Sequence, residues 1–246
     1  MESHAVQVIA RIHSDFQEKF GIPRQSGLVP DLQARIVFEP KFRNPDAIRG
    51  IEGFSHLWLI WQFSQALRSE WSPTVRPPRL GGNTRIGVFA SRSPFRPNSI
   101  GLSCVRLEQV LSDSVDGPTL IVSGADLLDG TPIYDIKPYI PYADCLPEAA
   151  GGFASERPAA ALQVEISDGL LESIPPEKRA GLLRVLALDP RPSYHSDPER
   201  VYGMRFSGYE IRFSVFGSVL TVREVRLDDS SVQGPKPHSI FSNSPF

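Results

Sequence analysis

Six arginines and no acid occupy residues 72–107: Arg76, Arg79, Arg85, Arg92, Arg96 and Arg106. The acids follow downstream, as Asp126, Asp129, Asp135 and Asp144. A basic stretch beside a group of carboxylates suits an anionic substrate that must also lose a proton. A solvated, charge-rich face is the bland alternative for the arginines. Against it, Arg79, Arg92 and Arg96 each adjoin Pro or Ser, which puts them at strand ends and in turns, where binding residues concentrate. No acid is interleaved to pair with them.

The carboxylates are not equivalent. Asp129-Gly130 is an ordinary turn signal, so that pair alone proves little. Asp126 sits within an apolar run, where a carboxylate is costly without partners. It is either a structural acid bonded to main chain or a site residue. Lys137, Tyr139 and Tyr142 alternate with Pro138 and Pro141. Tyrosine rings of this kind stack on bases or pack as surface rims, and Asp135 is a surface charge beside Lys137 or part of the site. His56 is a core histidine bonded to main chain or a ligand contact. Cys104 and Cys145 are too few for a metal framework.

The elements that must position these residues are short strands. HAVQVIARIHS, QARIVFEP, FSHLWLIWQFSQAL, TRIGVFASRS, GLSCVRLEQVLS and TLIVS read as strands, the third buried and central. In GLSCVRLEQVLS, Leu102, Cys104 and Arg106 share one face and Ser103, Val105 and Leu107 the other. TLIVSGADLLDGTPIYDIK reads as strand, tight Asp-Gly turn, strand. PDAIRGIEGF reads as a short helix. Residues 15–32, rich in Gly and Pro, form a long loop that either connects two strands or walls a ligand site. Near residue 147 the composition turns to Ala, Gly and Pro. A helix over 177–188 and a hairpin turning at Phe216-Gly217-Ser218 follow. The pattern predicts a mainly β protein: one antiparallel β-barrel or sandwich over residues 1–147, a linker over 148–165, a small α+β domain over 166–233, and a tail over 234–246. No GxGxxG follows a strand, so a doubly wound nucleotide fold is unsupported.

The formal net charge of −2 excludes coating of nucleic acid by bulk charge but leaves room for a local basic patch. No apolar run is long enough to cross a bilayer and no signal peptide opens the chain, so cytoplasm is the expected compartment.

KFGIPRQSGLV, AIRGIEGFSHLWLIW, RPPRLGGNTRIGVFASRSPFRPNSIGLS, DLLDGTPIYDIKPYIPYAD and, more weakly, LALDPRP with Tyr194 resemble the bacterial tRNA adenine-N6-methyltransferases of the TrmO family. The resemblance spans most of residues 1–145 and part of the C-terminal region. It implies a single β-barrel that binds S-adenosylmethionine, with a smaller C-terminal domain, acting as a homodimer. The implied reaction is methylation of the exocyclic nitrogen of threonylcarbamoyladenosine, just 3′ of the anticodon. Carried over by position, the donor pocket draws on Pro23, Arg24, Gln25, Ser64, Gln65, Arg92 and Leu102, and on Asp126, Leu127, Leu128, Asp129, Gly130 and Thr131. Contacts to the tRNA anticodon loop fall to Arg76, Arg79, Arg96, Lys137, Tyr139 and Tyr142. Two positions depart from the family pattern: Ser64 stands where histidine is common, and Ser99 where the second proline of RPNPIG is usual. Neither change removes a charged group that the chemistry needs.

Methyl transfer is an in-line displacement, so alignment and exclusion of water dominate and no metal is required. The acceptor nitrogen is a poor nucleophile, because its lone pair is delocalised into a carbonyl. A carboxylate that takes its proton would help, and Asp126, Asp129 and Asp135 are the candidates. Two other readings compete. A non-catalytic barrel that grips single-stranded RNA needs the arginines and tyrosines but no donor pocket. A hydrolase would need Ser103 or Cys104 as nucleophile beside His56, an arrangement that mid-strand positions disfavour.

Overall fold

The computed structural model describes residues 2, 4–67, 70–112, 114–156, 162–191, 197 and 199–228. The chain begins with strands β1 (Ala10–His13), β2 (Gln33–Phe38) and β3 (His56–Gln62). A two-stranded ribbon of β4 (Thr74–Val75) and β5 (Ile86–Gly87) follows, then β6 (Ile100–Leu111), β7 (Thr119–Ser123) and β8 (Pro132–Pro138). Six of these close an antiparallel barrel in the order β1-β2-β7-β6-β3-β8.

Alternation puts one face of each strand inside. β3 buries Leu57, Leu59 and Trp61 while His56, Trp58, Ile60 and Gln62 face outward, half-buried. Ala10, Ile12, Ala34, Ile36, Phe38, Val105, Leu120, Val122 and Ile133 complete the interior. A six-stranded barrel is narrow, and its core is filled by side chains rather than by a channel. In β6 the expected faces hold from Ile100 to Leu107, where a bulge before Gln109 shifts the register.

Three expectations are corrected. TRIGVFASRS contributes only Ile86–Gly87 as strand, followed by a 3₁₀ turn over Val88–Ala90. PDAIRGIEGF forms two 3₁₀ turns, Pro45–Ile48 and Ile51–Gly53, because Gly50 between them is left-handed at φ 85°. The Asp129-Gly130 turn does not join a hairpin. β7 pairs with β2 and β6, while β8 pairs with β1 and β3, so residues 124–131 cross the barrel end between non-neighbouring strands.

After a single helical turn, α1 (Pro141–Asp144), the C-terminal unit consists of β9 (Gln163–Glu165), α2 (Asp168–Glu172), α3 (Pro176–Ala187), β10 (Tyr202–Phe206), β11 (Tyr209–Phe216) and β12 (Val219–Leu227). Its sheet runs β10-β11-β12-β9, with β9 parallel to β12. The β11–β12 turn falls at Gly217-Ser218, with Gly217 at φ 57°. β9 lies inside the stretch expected to be linker. The expected tail and Tyr194 lie outside the described residues, and no helix among those described is long and apolar enough to cross a membrane.

Candidate active site

β6 pairs with β7 only from Arg106 onward. The edge of its first half, Ile100–Val105, is therefore free of β7, and the chain leaving β7 at Ser123 turns across this seam. Gly124 takes a left-handed φ of 74° and lies so close to Gly27 that a Cβ would stand 3.2 Å from the Gly27 Cα. That approach lets the Gly27 amide donate to the Gly124 carbonyl at 2.8 Å. The loop between β1 and β2 is thereby pinned to the barrel at its tip. Ser26 Oγ accepts the Cys104 amide at 3.2 Å, filling a hydrogen bond of the open β6 edge.

Asp126 enters this seam and is bonded from the barrel interior. Its Oδ1 accepts the Ser103 hydroxyl at 2.6 Å, and Ser103 Oγ in turn accepts the buried Trp61 Nε1–H at 3.0 Å. The register that places Trp61 opposite Gly101 explains the glycine: a Cβ at residue 101 would collide with the indole ring. The relay from Trp61 through Ser103 to Asp126 orients the carboxylate from within the barrel core. Burial holds the Asp126 proton affinity above the ordinary carboxylate range; hydrogen bonds from Ser103, from its own amide and from that of Ser26, and the charge of Arg92, oppose burial without cancelling it. A carboxylate of this kind is a stronger base than a free one. Arg92 donates from Nη1 to Gln25 Oε1 at 2.6 Å, while its own side chain is exposed.

The structure thus brings together Gln25, Ser26, Arg92, Ser103 and Asp126. Pro23 is buried beside them in the chain, Arg24 is exposed, and Leu102, 53% exposed, and Ile100 form an apolar lip on the outer face of β6. Ser64 and Gln65 lie in the turn that ends β3, where the Gln65 carbonyl accepts Lys19 Nζ of the same β1–β2 loop.

Other sequence candidates are engaged elsewhere. Asp129 Oδ1 accepts the Ser14 amide at 3.1 Å and faces His13 Nδ1 at 3.4 Å, so this carboxylate caps the end of β1. Leu127 is a core side chain, and the Leu128 carbonyl accepts the Thr131 hydroxyl within the turn. Gly130 supplies the turn's left-handed residue. Asp135 pairs with Lys137 at 3.0 Å on the half-exposed face of β8. Arg96 donates to the Ser91 carbonyl and Arg79 to the Glu156 carbonyl. Tyr139 packs near Trp58 and His56, with ring centroids 5.8 and 6.1 Å away, whereas Tyr142 is 90% exposed. His56 is bonded to the Ser55 hydroxyl rather than to main chain.

Sequence reasoning named Arg76 as a tRNA contact but missed the surface around it. In the β4–β5 ribbon, the pairing of Val75 with Ile86 sets Arg76 and Arg85 side by side at one end. Trp71 and Phe89, 51% and 72% exposed, approach at the other with centroids 6.0 Å apart. Among the described residues no carboxylate lies within ion-pair distance of Arg76, Arg85 or Arg92. The signal was present as an aromatic just before and just after the arginine-rich ribbon.

Comparison with known proteins decides the family. Models of the tRNA-methyltransferase O N-terminal domain and of the TrmO C-terminal domain match residues 11–145 and 159–228. The chain belongs to the tRNA-methyltransferase O family. A tRNA (adenine(37)-N6)-methyltransferase of Escherichia coli is 43% identical over 223 residues, covering 87% of this chain and 94% of that protein. A Pseudomonas aeruginosa relative, 42% identical over 219 residues (86% and 92% of the two chains), is named provisionally as an S-adenosylmethionine-dependent methyltransferase. The crystal structure of TrmO from Pseudomonas aeruginosa superposes with a TM-score of 0.74 at 35% identity, over 92% of this chain and 99% of that one. The barrel with its appended sheet is therefore the family's architecture.

Proposed function

We propose that this enzyme transfers a methyl group from S-adenosylmethionine to the exocyclic nitrogen of N6-threonylcarbamoyladenosine at position 37 of tRNA. One observation carries the reading: a half-buried carboxylate, Asp126, oriented by the buried Ser103 and Trp61, opens onto the same seam as the Gln25–Gly27 loop tip and Arg92. The donor set there fits S-adenosylmethionine. Arg92 and Gln25 suit its carboxylate, and the apolar lip of Ile100 and Leu102 suits its adenine.

When bound, that cofactor supplies an electrophilic methyl group. The protein's own residues do the rest. The loop tip and β6 edge fix one side of the seam, and the barrel core keeps water from the relay behind Asp126. Asp126 takes the proton of the acceptor nitrogen as its new bond forms, which offsets the weak nucleophilicity of a carbamoylated amine. Trp61 and Ser103 do not touch the reacting atoms; they hold the carboxylate at its angle. Arg76 and Arg85 meet tRNA phosphates, and the exposed pair Trp71 and Phe89 offers a stacking surface to splayed anticodon-loop bases. The working form we infer is a cytoplasmic homodimer, in keeping with the family resemblance.

The test is incubation with deuterated-methyl S-adenosylmethionine and tRNA with or without the threonylcarbamoyl group, followed by nucleoside mass spectrometry. The expected result is one labelled methyl on threonylcarbamoyladenosine and none on plain adenosine. Labelling of neither, or of another nucleoside, refutes the assignment.

A further inference from the structure

We propose that the C-terminal domain is a positioning device for the donor-binding loop, an inference that rests on the reading of the seam as the donor site. Residues 14–32 join β1 to β2, yet most of the loop's apolar side chains belong to another core. Phe16, Val29 and Leu32 are buried among Ile174, Leu182, Met204, Phe206 and Phe213 of the C-terminal domain, with Phe20, Ile22 and Leu28 packed against the same cluster. Phe20 stacks on Tyr202 and Phe213, with centroids 6.5 and 6.3 Å away.

Polar ties run in parallel. Lys178 Nζ of α3 meets Asp15 Oδ2 at 2.7 Å, and the Asp15 side chain is only 8% exposed. The Ser207 amide donates to the Asp15 carbonyl and the Arg205 amide to Glu18 Oε1. Arg184 reaches Asp31 at 2.5 Å. Two glycines mark how close the surfaces lie: a Cβ at Gly21 would collide with the Met204 sulfur, and one at Gly181 with the Leu32 side chain.

These anchors fall on two flanks of the loop, Asp15–Ile22 and Leu28–Leu32. The segment between them, Pro23–Gly27, carries Gln25 and Ser26 to Arg92, Cys104 and Asp126. The barrel holds this loop at its strand ends and by single hydrogen bonds at Phe16, Lys19, Ser26 and Gly27. With its apolar flanks uncovered, the Gly-containing segment would sample more conformations, and ordering it would weaken ligand binding. With both flanks fixed in a second core, its tip is held ready before ligand arrives. The C-terminal domain thus acts on donor affinity through the loop, without touching donor.

The experiment measures S-adenosylhomocysteine binding by calorimetry, and steady-state KM for donor and for tRNA, in the full-length protein. Lys178→Met removes the cation that holds Asp15, and Lys178→Arg restores it. For folded Lys178→Met we expect a dissociation constant and donor KM raised about tenfold, with the KM for tRNA and the kcat at saturating donor unchanged. Lys178→Arg should recover most of the loss. Arg184→Ala, at the half-exposed tie to Asp31, keeps the question open to measurement should Lys178→Met fail to fold, with an expected weakening of about threefold. Folded variants that bind as the wild type does, or that raise the tRNA KM while leaving donor binding intact, overturn the proposal. A wild type that binds no S-adenosylhomocysteine at all refutes instead the reading of the seam as a donor site.

Discussion

Replacing Asp126 by asparagine separates its chemical role from its place in the fold. The amide keeps the volume of the carboxyl and still accepts the Ser103 hydroxyl, so the relay to Trp61 stays intact. It cannot accept a proton from the acceptor nitrogen. Positioned acid–base catalysis contributes roughly 10²–10⁴-fold, or about 2.7–5.5 kcal/mol of barrier. Alignment of two bound reactants contributes more, about 7–11 kcal/mol, and asparagine leaves that intact. The variant should therefore lose about a hundredfold in kcat with donor KM little changed, and remain measurably active.

The pH dependence adds a second readout. Burial raises the proton affinity of folded Asp126, so the folded chain retains a proton that the unfolded chain has already released. The contribution to stability is fully present below the ordinary carboxylate pKa and is lost as pH rises through the raised folded value. Asparagine has no such loss. Chemical denaturation should show Asp126→Asn gaining on the wild type as pH rises through that window, while wild-type turnover climbs over the same range. An Asp126→Asn enzyme with full turnover at every pH would refute the assignment of Asp126 as base.

Four further outcomes are expected. Ser103→Ala strands the buried Trp61 Nε1–H and should cost about 1–3 kcal/mol in denaturant unfolding, with the pH–rate profile moved upward because a bond that favours the carboxylate is gone. Arg92→Ala should weaken S-adenosylhomocysteine binding in calorimetry, since Arg92 is the charged member of the donor set. Trp71→Ala with Phe89→Ala should raise the KM for tRNA about tenfold through lost stacking, leaving donor KM as it was. Ser99 sits at φ 41° with its amide bonded to the Arg96 carbonyl. Ser99→Gly should therefore raise stability by about 1 kcal/mol, and Ser99→Pro should lower it by more than about 1 kcal/mol, both read from melting curves.

Alternation made β6 legible, down to the face on which Ser103 and Val105 lie, because a two-residue period survives in a strand buried on one side; β3 was legible instead as a long apolar run. The Asp126 ambiguity, structural acid or site residue, was also visible. The partners that resolve its environment were not. Trp61, Ser103 and Asp126 are joined by strand register and by the seam where β6 and β7 separate, neither of which is written in local composition. Asp129-Gly130 misled, since its turn chemistry is the same whether the flanking strands pair or cross the barrel end. The β5 segment was overread because Gly87 and the 3₁₀ turn after it interrupt an apolar run that looks continuous. Most hidden was the loop over residues 14–32: its Phe16, Phe20 and Leu32 fill a core whose members outside the loop lie more than a hundred residues away.

The position of bound donor is the most direct test of the seam. A crystal structure with S-adenosylhomocysteine should show the ligand in the seam between β6 and β7, its polar ends on Gln25 and Arg92 and its sulfur facing Asp126. Density for the ligand on any other face of the barrel, with that seam empty, would contradict it.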